Sequence, residues 1–416
     1  MRWKVRSSKY LLFLLIFYLL LFQTPLTNCF PPFKYLDEII ALIAIPLYII
    51  ELKKKSFKVK AKTNVLIMAL IVFSIAGMLG EIEYKYQPMS AAMSDMFLCL
   101  KFWLTIYTGK ILFSELNLKK IGKGVFFHVK VVTSLFCVLT LMDNMLHIFP
   151  ANIRYGFRST HLFYNNPTSF VAACAFLIAI LMAIKPYVRK FQKWIAILLI
   201  LMCSSLRSKA FAAVFVFCII YYFVFIREKK ITLKTFLIFV PVIVFMVGDQ
   251  IEYYFFSDIQ SDSARYQLLV TSLSIAKNSF PFGTGFGTFG SYMSAIYYSP
   301  VYRIYGISNV HGLIEGATYF TSDSFWPMIL GETGIVGLTS IVIVIVCMLK
   351  RLQKIKTNDL ALYAGGLVCM SYMLIVSMAE SAFVNPIAIP FAVILGMIYG
   401  KGEKMENASY DIHTNI

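Results

Sequence analysis

The sequence predicts an all-α polytopic membrane protein with about twelve transmembrane helices. Of its 416 residues, 59% are hydrophobic and only 14% are charged, and the mean hydropathy is +0.73. A soluble domain carries about 25% charged residues, so this chain has too little polar surface to cover a soluble fold. Because one helical span needs ~20 mostly apolar residues, twelve spans occupy most of the chain. A large soluble catalytic domain is therefore excluded.

Apolar runs long enough for a span recur along the whole chain. Their boundaries are expected to hold to within about 2–4 residues. The first run follows a basic N-terminus and could instead be a signal peptide, but we treat it as a span. The predicted spans are Tyr10–Phe30, Leu36–Ile50, Asn64–Gly80, Ala91–Phe113, Val125–Leu146, Ser169–Ile184, Trp194–Leu206, Ala210–Ile226, Ile231–Val247, Ser324–Leu349, Leu360–Met378 and Ile387–Tyr399.

The distribution of positive charge sets the predicted topology. With a cytoplasmic N-terminus, 28 of the 39 Lys and Arg residues fall in inside segments and 9 in outside segments. This alternation follows the positive-inside rule and predicts that both termini are cytoplasmic. The net charge of +18 is thus a topology signal and requires no nucleic-acid partner. The eight cysteines show no CxxC spacing, so they predict neither a disulfide framework nor a zinc site.

The chain is predicted to have four parts. They are nine spans in residues 1–247, one long outer loop in 248–323, three spans in 324–400, and a short cytoplasmic tail in 401–416 that we expect to be disordered. The loop is rich in Tyr, Ser, Gly and Phe, which is not typical of a charged linker. Within it, Ser263–Ser279 has helical spacing of apolar residues and predicts an amphipathic helix at or near the bilayer surface.

Polar residues of unusual type gather at the predicted outer face, whereas the spans are nearly free of charge. This pattern favours chemistry or binding at the outer membrane–water boundary over an ion pathway through the bilayer. The main exceptions within or near the spans are Lys101, His128, Lys130 and Glu380.

A glycine-rich segment, Gly283–Gly290, lies in the long loop and contains a GxGxxG pattern. A dinucleotide site needs a preceding strand and a cytoplasmic location, which this segment lacks. We interpret it as a tight loop that lets its backbone approach another segment closely. The alternative is that its backbone amides help to hold a phosphate or a sugar.

Three cations are candidates for binding an anionic ligand. Arg207 and Lys209 follow a run that is short for a span, so they are expected to lie slightly below the outer surface. An arginine offers phosphate a planar fork of donors, and a lysine adds a point charge. The alternative for this pair is snorkelling to lipid headgroups. Arg265 is the third candidate, with a local ion pair to Asp262 or Asp258 as its alternative.

The second outside loop carries Arg154 and Arg158 on either side of an aromatic turn, ahead of Asn166. Clusters of arginine, aromatic and asparagine side chains suit sugars and phosphates. A solvated loop without a ligand explains the same residues equally well, so these three are substrate-binding candidates only.

Three residues are candidate proton acceptors or catalytic acids. Asp323 opens the tenth predicted span, where a helix N-cap is the alternative role. Glu332 is an acid inside an apolar helix and needs a partner there. His311 is the only histidine of the long loop and could accept a proton near neutral pH.

Taken together, the order of these segments resembles the O-antigen polymerase and ligase family of bacterial envelopes. The resemblance covers about residues 154–340, and its motifs are ordered correctly although each is diffuse. They are Asn165-Asn166-Pro167, Ser205-Leu206-Arg207, Ala264-Arg265, the segment Phe280–Gly290, Tyr297–Tyr302, and Ser322–Pro327 leading into Gly331–Gly337.

The resemblance implies a helical glycosyltransferase fold of the C type, without metal or cofactor. It implies a substrate of glycan linked to undecaprenyl diphosphate, at the outer face of the bacterial cytoplasmic membrane, and flippase and chain-length regulator proteins as possible partners. The family's diphosphate-holding arginines correspond to Arg207 and Arg265. Asp323 stands where the ligases carry a histidine, which favours a polymerase and leaves the general base open.

Two other functions fit the same composition. A ligase would transfer the glycan to a lipid or a protein. A lipid-linked glycan transporter or flippase would also have about twelve spans, but it predicts polar residues through the bilayer midplane and two related halves, and neither is visible in the sequence.

Overall fold

The computed structural model describes residues 2–54, 61–150, 152–228, 263–357 and 359–414. The described residues are predominantly helical, with a small hairpin of β1 (Ile153–Arg154) and β2 (Phe157–Arg158). The predicted all-α membrane class is confirmed. The predicted ninth span, Ile231–Val247, and the loop residues before 263 lie outside the described residues.

Sixteen α-helices, besides short 3-10 and π-helical turns, follow one another along the described chain. They are α1 (Arg2–Leu21), α2 (Gln23–Cys29), α3 (Leu36–Leu42), α4 (Ala44–Lys54), α5 (Ala61–Tyr84), α6 (Met89–Phe113), α7 (Leu118–Leu146), α8 (Pro167–Ala183), α9 (Phe191–Cys203), α10 (Ser208–Tyr221), α11 (Ala264–Asn278), α12 (Tyr292–Ile296), α13 (Val301–Ile304), α14 (Phe325–Ile355), α15 (Leu360–Ser377) and α16 (Ile389–Thr414).

Six of the described helical segments are long and apolar enough to cross a membrane, one of them being α10 together with the π-helical turn Tyr222–Ile226 that continues it. The bent pair α1–α2 makes a seventh if it counts as one span. Two further apolar helices are shorter: α8 has 17 residues and α9 has 13. At the helical rise of ~1.5 Å per residue, α9 is about 20 Å long and does not cross a hydrocarbon core of ~30 Å by itself. The described chain is therefore a multi-pass helical protein with fewer full-length spans than the twelve predicted.

Prolines explain why the first two predicted spans are not straight helices. The first is bent by 72° between α1 and α2. Pro25 lies four residues after Leu21, so its ring would clash with that carbonyl in a continuous helix. Pro46 has the same relation to Leu42, where α3 ends. The sequence pattern detected the apolar length of these segments but missed both breaks.

Two inner helices form the centre of the bundle. Nearly every residue of α8 is buried, and so is the first part of α16 up to Tyr399. Glycines allow α16 to pack closely against α6: a Cβ atom on Gly396 would lie 2.1 Å from the carbonyl oxygen of Ile106. Small residues at such crossings bring helix backbones into contact, which is how membrane helices gain packing energy.

The described part of the long loop is an ordered structure with a small core of its own. The predicted helix is confirmed as α11, but its apolar residues do not form the single face we expected: Leu268 and Ile275 point into this core, whereas Leu273 is 58% exposed. The apolar residues therefore divide between two faces of the helix. The other core members are Ala264, Phe289, Val301, Tyr302, Ile307 and Leu313.

The glycine-rich segment packs into a break in α14. Gly334 interrupts that helix with φ 61° and ψ −164°. Across the break, the backbone N–H of Thr284 donates to the carbonyl of Gly331 at 3.0 Å, and that of Gly285 donates to Glu332 at 2.9 Å. A Cβ atom on Gly285 would lie 2.6 Å from the backbone of the neighbouring α5. The interpretation of a loop built for close backbone approach is confirmed.

The structure of the tail beyond residue 400 differs from the one we expected. We expected disorder from Lys401 onwards, but α16 continues to Thr414. Ion pairs between Glu403 and both Lys110 and Arg351, at 2.7 and 4.0 Å, hold this extension against the ends of α6 and α14. The short polar sequence resembled a free tail because these partners are distant in the chain.

A buried ion pair explains the charge of Lys101 inside a predicted span. Its ammonium lies 2.5 Å from the carboxylate of Asp37 in α3, and the two side chains are 3% and 1% exposed. Gln23 donates to the other oxygen of Asp37 at 3.2 Å. The pair thus fastens the broken segment α2–α3 to α6.

Removing one partner of this pair is expected to destabilise the protein strongly. Lys101→Met leaves a buried carboxylate without its cation, which typically costs about 3–5 kcal/mol. The double variant Lys101→Met/Asp37→Leu should recover most of the loss, because it leaves no buried charge. Thermal unfolding in detergent, followed by size-exclusion chromatography, measures both. Equal losses in the single and double variants would contradict this role.

Candidate functional site

Two ion pairs form a charged cluster between the turn before α10, the start of α11, and the loops that precede α14 and follow α15. Lys209 pairs with Glu380, and Arg265 pairs with Asp323 at 3.0 Å. Arg207 and Arg265 both lie close enough to interact electrostatically with Lys209. We call these five residues the charged cluster. Its members come from four separate parts of the chain. The four side chains of the two ion pairs are 18–25% exposed.

A tight turn between α9 and α10 presents the first two cations. Leu206 adopts a left-handed conformation with φ 52°, and Arg207 is the N-cap residue of α10, so Lys209 falls in the first helical turn. The hairpin loop supports this turn from the side. The N–H of Thr160 donates to the backbone carbonyl of Ser204 at 3.0 Å, and the hydroxyl of Ser159 donates to the backbone carbonyl of Ser205 at 2.7 Å.

The two carboxylates belong to loops that are joined to each other. The N–H of Ser381 donates to the carbonyl of Ser322 at 3.1 Å, which brings Glu380 near Asp323. Asp323 is not the helix N-cap that was its alternative role, since Ser324 occupies that position. Burial raises the pKa of the Asp323 carboxyl above its usual value, and the guanidinium of Arg265 opposes the shift.

A cavity of about 360 Å³ opens beside the charged cluster. This volume is at the lower end of the range of ~300–1,000 Å³ that is usual for small-molecule sites. One part of its wall is apolar and includes Leu20, Ala173 and Phe176, from α1 and α8. Another part carries amide, hydroxyl and charged groups. Glu380 is the residue that the cavity wall shares with the charged cluster.

This arrangement has the components needed to bind an amphipathic anion. Three cations and two carboxylates stand together among the described residues. Partial burial strengthens their attraction for a phosphate because the local dielectric is lower than in water. The adjacent wall has apolar surface for a lipid chain and neutral polar groups for hydroxyls.

The other predicted anion-binding residues are not part of the two ion pairs of the charged cluster. Arg158 in β2 pairs with Asp143 at 3.1 Å and also donates to the carbonyl of Phe149, so it ties the hairpin to the end of α7. Arg154 is half-buried in the same hairpin. Asn166 caps α8 by accepting the N–H of Ser169 at 2.8 Å, and it also lines the cavity. Of the three, Asn166 keeps a position from which it could meet a ligand.

The other two proton-acceptor candidates, His311 and Glu332, are not members of the charged cluster. His311 is exposed, with its ring 5.7 Å from that of Phe320. Glu332 is fully buried in α14, where its Oε1 accepts the N–H of Phe289 at 3.1 Å. Glu332 is not part of the cavity wall, and its carboxylate contacts the backbone of the glycine-rich segment.

One group of potential metal ligands occurs among the described residues. Asp95, Cys99 and Glu332 bring their ligand atoms within 4.8 Å of one another, and all three are buried. The two carboxylates already accept backbone amides of the glycine-rich segment, since Gly287 donates to Asp95 at 3.2 Å. We interpret the group as an internal anchor for that segment. The same contacts occupy amides that the sequence offered as an alternative phosphate cradle.

Sequence reasoning missed Glu380 as a site residue. The only available signal was that it is an acid close to the end of an apolar run. The other three residues singled out in the spans, Lys101, His128 and Lys130, each contact another side chain. Lys101 pairs with Asp37, the phenol of Tyr18 lies 2.8 Å from Nδ1 of His128, and the Lys130 ammonium lies 5.2 Å from the ring centroid of Phe126.

Comparisons of the chain with protein-family models and with curated proteins found no match. Its function is therefore inferred from the chemistry of the charged cluster and the cavity.

Proposed function

We propose that the chain is a membrane glycosyltransferase that polymerises oligosaccharide repeat units carried on undecaprenyl diphosphate. The reaction would take place at the outer face of the bacterial cytoplasmic membrane and yield capsule, exopolysaccharide or O-antigen. The proposal includes twelve spans, a C-type glycosyltransferase fold and cytoplasmic termini. Membrane lipids and the lipid-linked glycan are the proposed partners, with a flippase and a chain-length regulator alongside.

The observation that carries the proposal is the convergence of Arg207, Lys209 and Arg265 beside a partly apolar cavity. Transfer from a lipid diphosphate requires cations that stabilise the leaving diphosphate as its negative charge develops. It also requires a group that takes the proton of the attacking sugar hydroxyl. The charged cluster supplies the cations, and its carboxylates are candidates for the proton acceptor.

Deletion of the gene distinguishes a polymerase from the alternatives. Surface glycan of the deletion strain, sized on a gel, should be reduced to a single repeat unit, and the intact gene should restore long chains. A ligase deletion would instead leave long chains attached to undecaprenyl diphosphate. A flippase deletion would leave no repeat units at the outer face. Long surface chains in the deletion strain would overturn the proposal.

A further inference from the structure

We propose that Glu380 is the proton acceptor for the attacking hydroxyl, and that Lys209 holds it inactive until a diphosphate binds. This inference rests on the proposed function and adds a residue, a position for the acceptor sugar and an order of events. Its basis is that Glu380 belongs both to the charged cluster and to the cavity wall.

The contacts of Glu380 are suited to such a switch. Its Oε1 accepts a hydrogen bond from the hydroxyl of Thr168 at 2.8 Å and an ion-paired hydrogen bond from Lys209. The Glu380 side chain is 21% exposed, so it is accessible while it remains ion-paired. While Lys209 remains bound to Glu380, transfer of a proton to this carboxylate would forfeit the ion pair.

A bound diphosphate would compete directly with the two carboxylates. The diphosphate and the carboxylates bind the same cations. Phosphate attracts Lys209 and the arginines by its charge and by its several acceptor oxygens. When the diphosphate takes Lys209, Glu380 loses its cation but keeps Thr168. Asp323 is displaced from Arg265 in the same way, but it is not part of the cavity wall. Glu380 is therefore the carboxylate released towards the cavity.

The cavity wall near Glu380 suits a sugar. Its neutral polar groups include Gln23, Thr24, Asn165 and Asn385, which can donate to and accept from hydroxyls. In the reaction, the acceptor hydroxyl gives its proton to Glu380 and its oxygen forms a bond to the anomeric carbon of the donor sugar. The bond from that carbon to the diphosphate oxygen breaks, and its electron pair leaves with the lipid diphosphate, which the three cations retain.

The test separates binding from catalysis in the purified full-length protein and in membranes of the deletion strain. Glu380→Gln keeps the side-chain shape and an acceptor for Thr168 but cannot take a proton. We expect it to bind undecaprenyl diphosphate at least as tightly as the unmodified protein, because it no longer competes for Lys209. The rate of chain extension should fall about 100-fold or more, the usual effect of losing a general base. Glu380→Asp, which keeps a carboxylate, should recover part of that rate.

The controls make the outcomes distinct. Glu315→Gln removes an exposed acid of the same outer loop, which pairs with Arg303, and should change neither measurement. If Glu380→Gln extends chains at the unmodified rate, or loses binding together with activity, the inference is overturned. If the unmodified protein neither binds undecaprenyl diphosphate nor restores long chains to the deletion strain, the proposed function itself fails.

Discussion

Replacing Arg207 by lysine is expected to shorten the surface glycan towards a single repeat unit while the amount of protein in the membrane stays unchanged. The two residues carry the same charge, but only arginine offers a planar fork that contacts two phosphate oxygens at once. Arg207 stands at the N-terminus of α10, where it acts electrostatically on Lys209. If it merely reached for lipid headgroups, lysine would serve equally well.

The expected size of this effect follows from the charge that develops on the leaving diphosphate. Losing one well-placed donor at such a position costs about 3–4 kcal/mol, or roughly 10²–10³ in rate. Arg265→Ala should have a similar effect, because it removes a second cation from the charged cluster. The measurement is glycan sizing in the deletion strain complemented with each variant, with membrane levels checked by blot.

A matched control lies on the same helix as Arg265. Lys277 is an exposed cation in the last turn of α11, so Lys277→Ala should leave full-length chains. Short chains from this variant as well would mean that the assay responds to positive charge in general. Full-length glycan from both arginine variants would remove the idea that these residues hold a diphosphate.

Gly334→Ala is expected to abolish most of the folded protein, independently of any chemistry. The backbone of Gly334 has φ 61° and ψ −164°, a region that is essentially restricted to glycine and costs other residues about 1–3 kcal/mol. The added Cβ atom would also lie 2.2 Å from the carbonyl oxygen of Pro281. That contact is with backbone, so no side chain can move aside, and the glycine-rich segment would have to leave the break in α14.

Gly306→Ala separates these two contributions. Gly306 also has a positive φ, of 71°, but no heavy atom lies within 4 Å of its added Cβ. Its substitution should cost only about 1 kcal/mol from backbone strain. Thermal stability and yield of detergent-purified protein would show the difference. Similar stabilities for the two alanine variants would contradict the importance of the close approach at Gly334.

The sequence by itself determined the features that depend on local composition and periodicity. Long apolar runs predicted helices wherever the structure describes them, because burial in lipid requires every backbone polar group to bond within its own helix. Spacing of apolar residues predicted α11, and the glycines of the loop predicted close backbone approach. The shortness of the run before Arg207 was also visible, since α9 has only 13 residues.

Only the tertiary structure decided which charged residues meet. Arg265 and Asp323 are 58 positions apart, and Lys209 and Glu380 are 171 apart. No periodicity within a helix specifies such pairs, because they depend on which helices pack together and at what depth. The same packing placed Glu332 in the core beside Asp95 and left Glu380 at the cavity wall. In the sequence, Glu332 and Glu380 look similar, because each is an acid in or beside an apolar stretch. Their different roles follow from the partners that the fold brings to them.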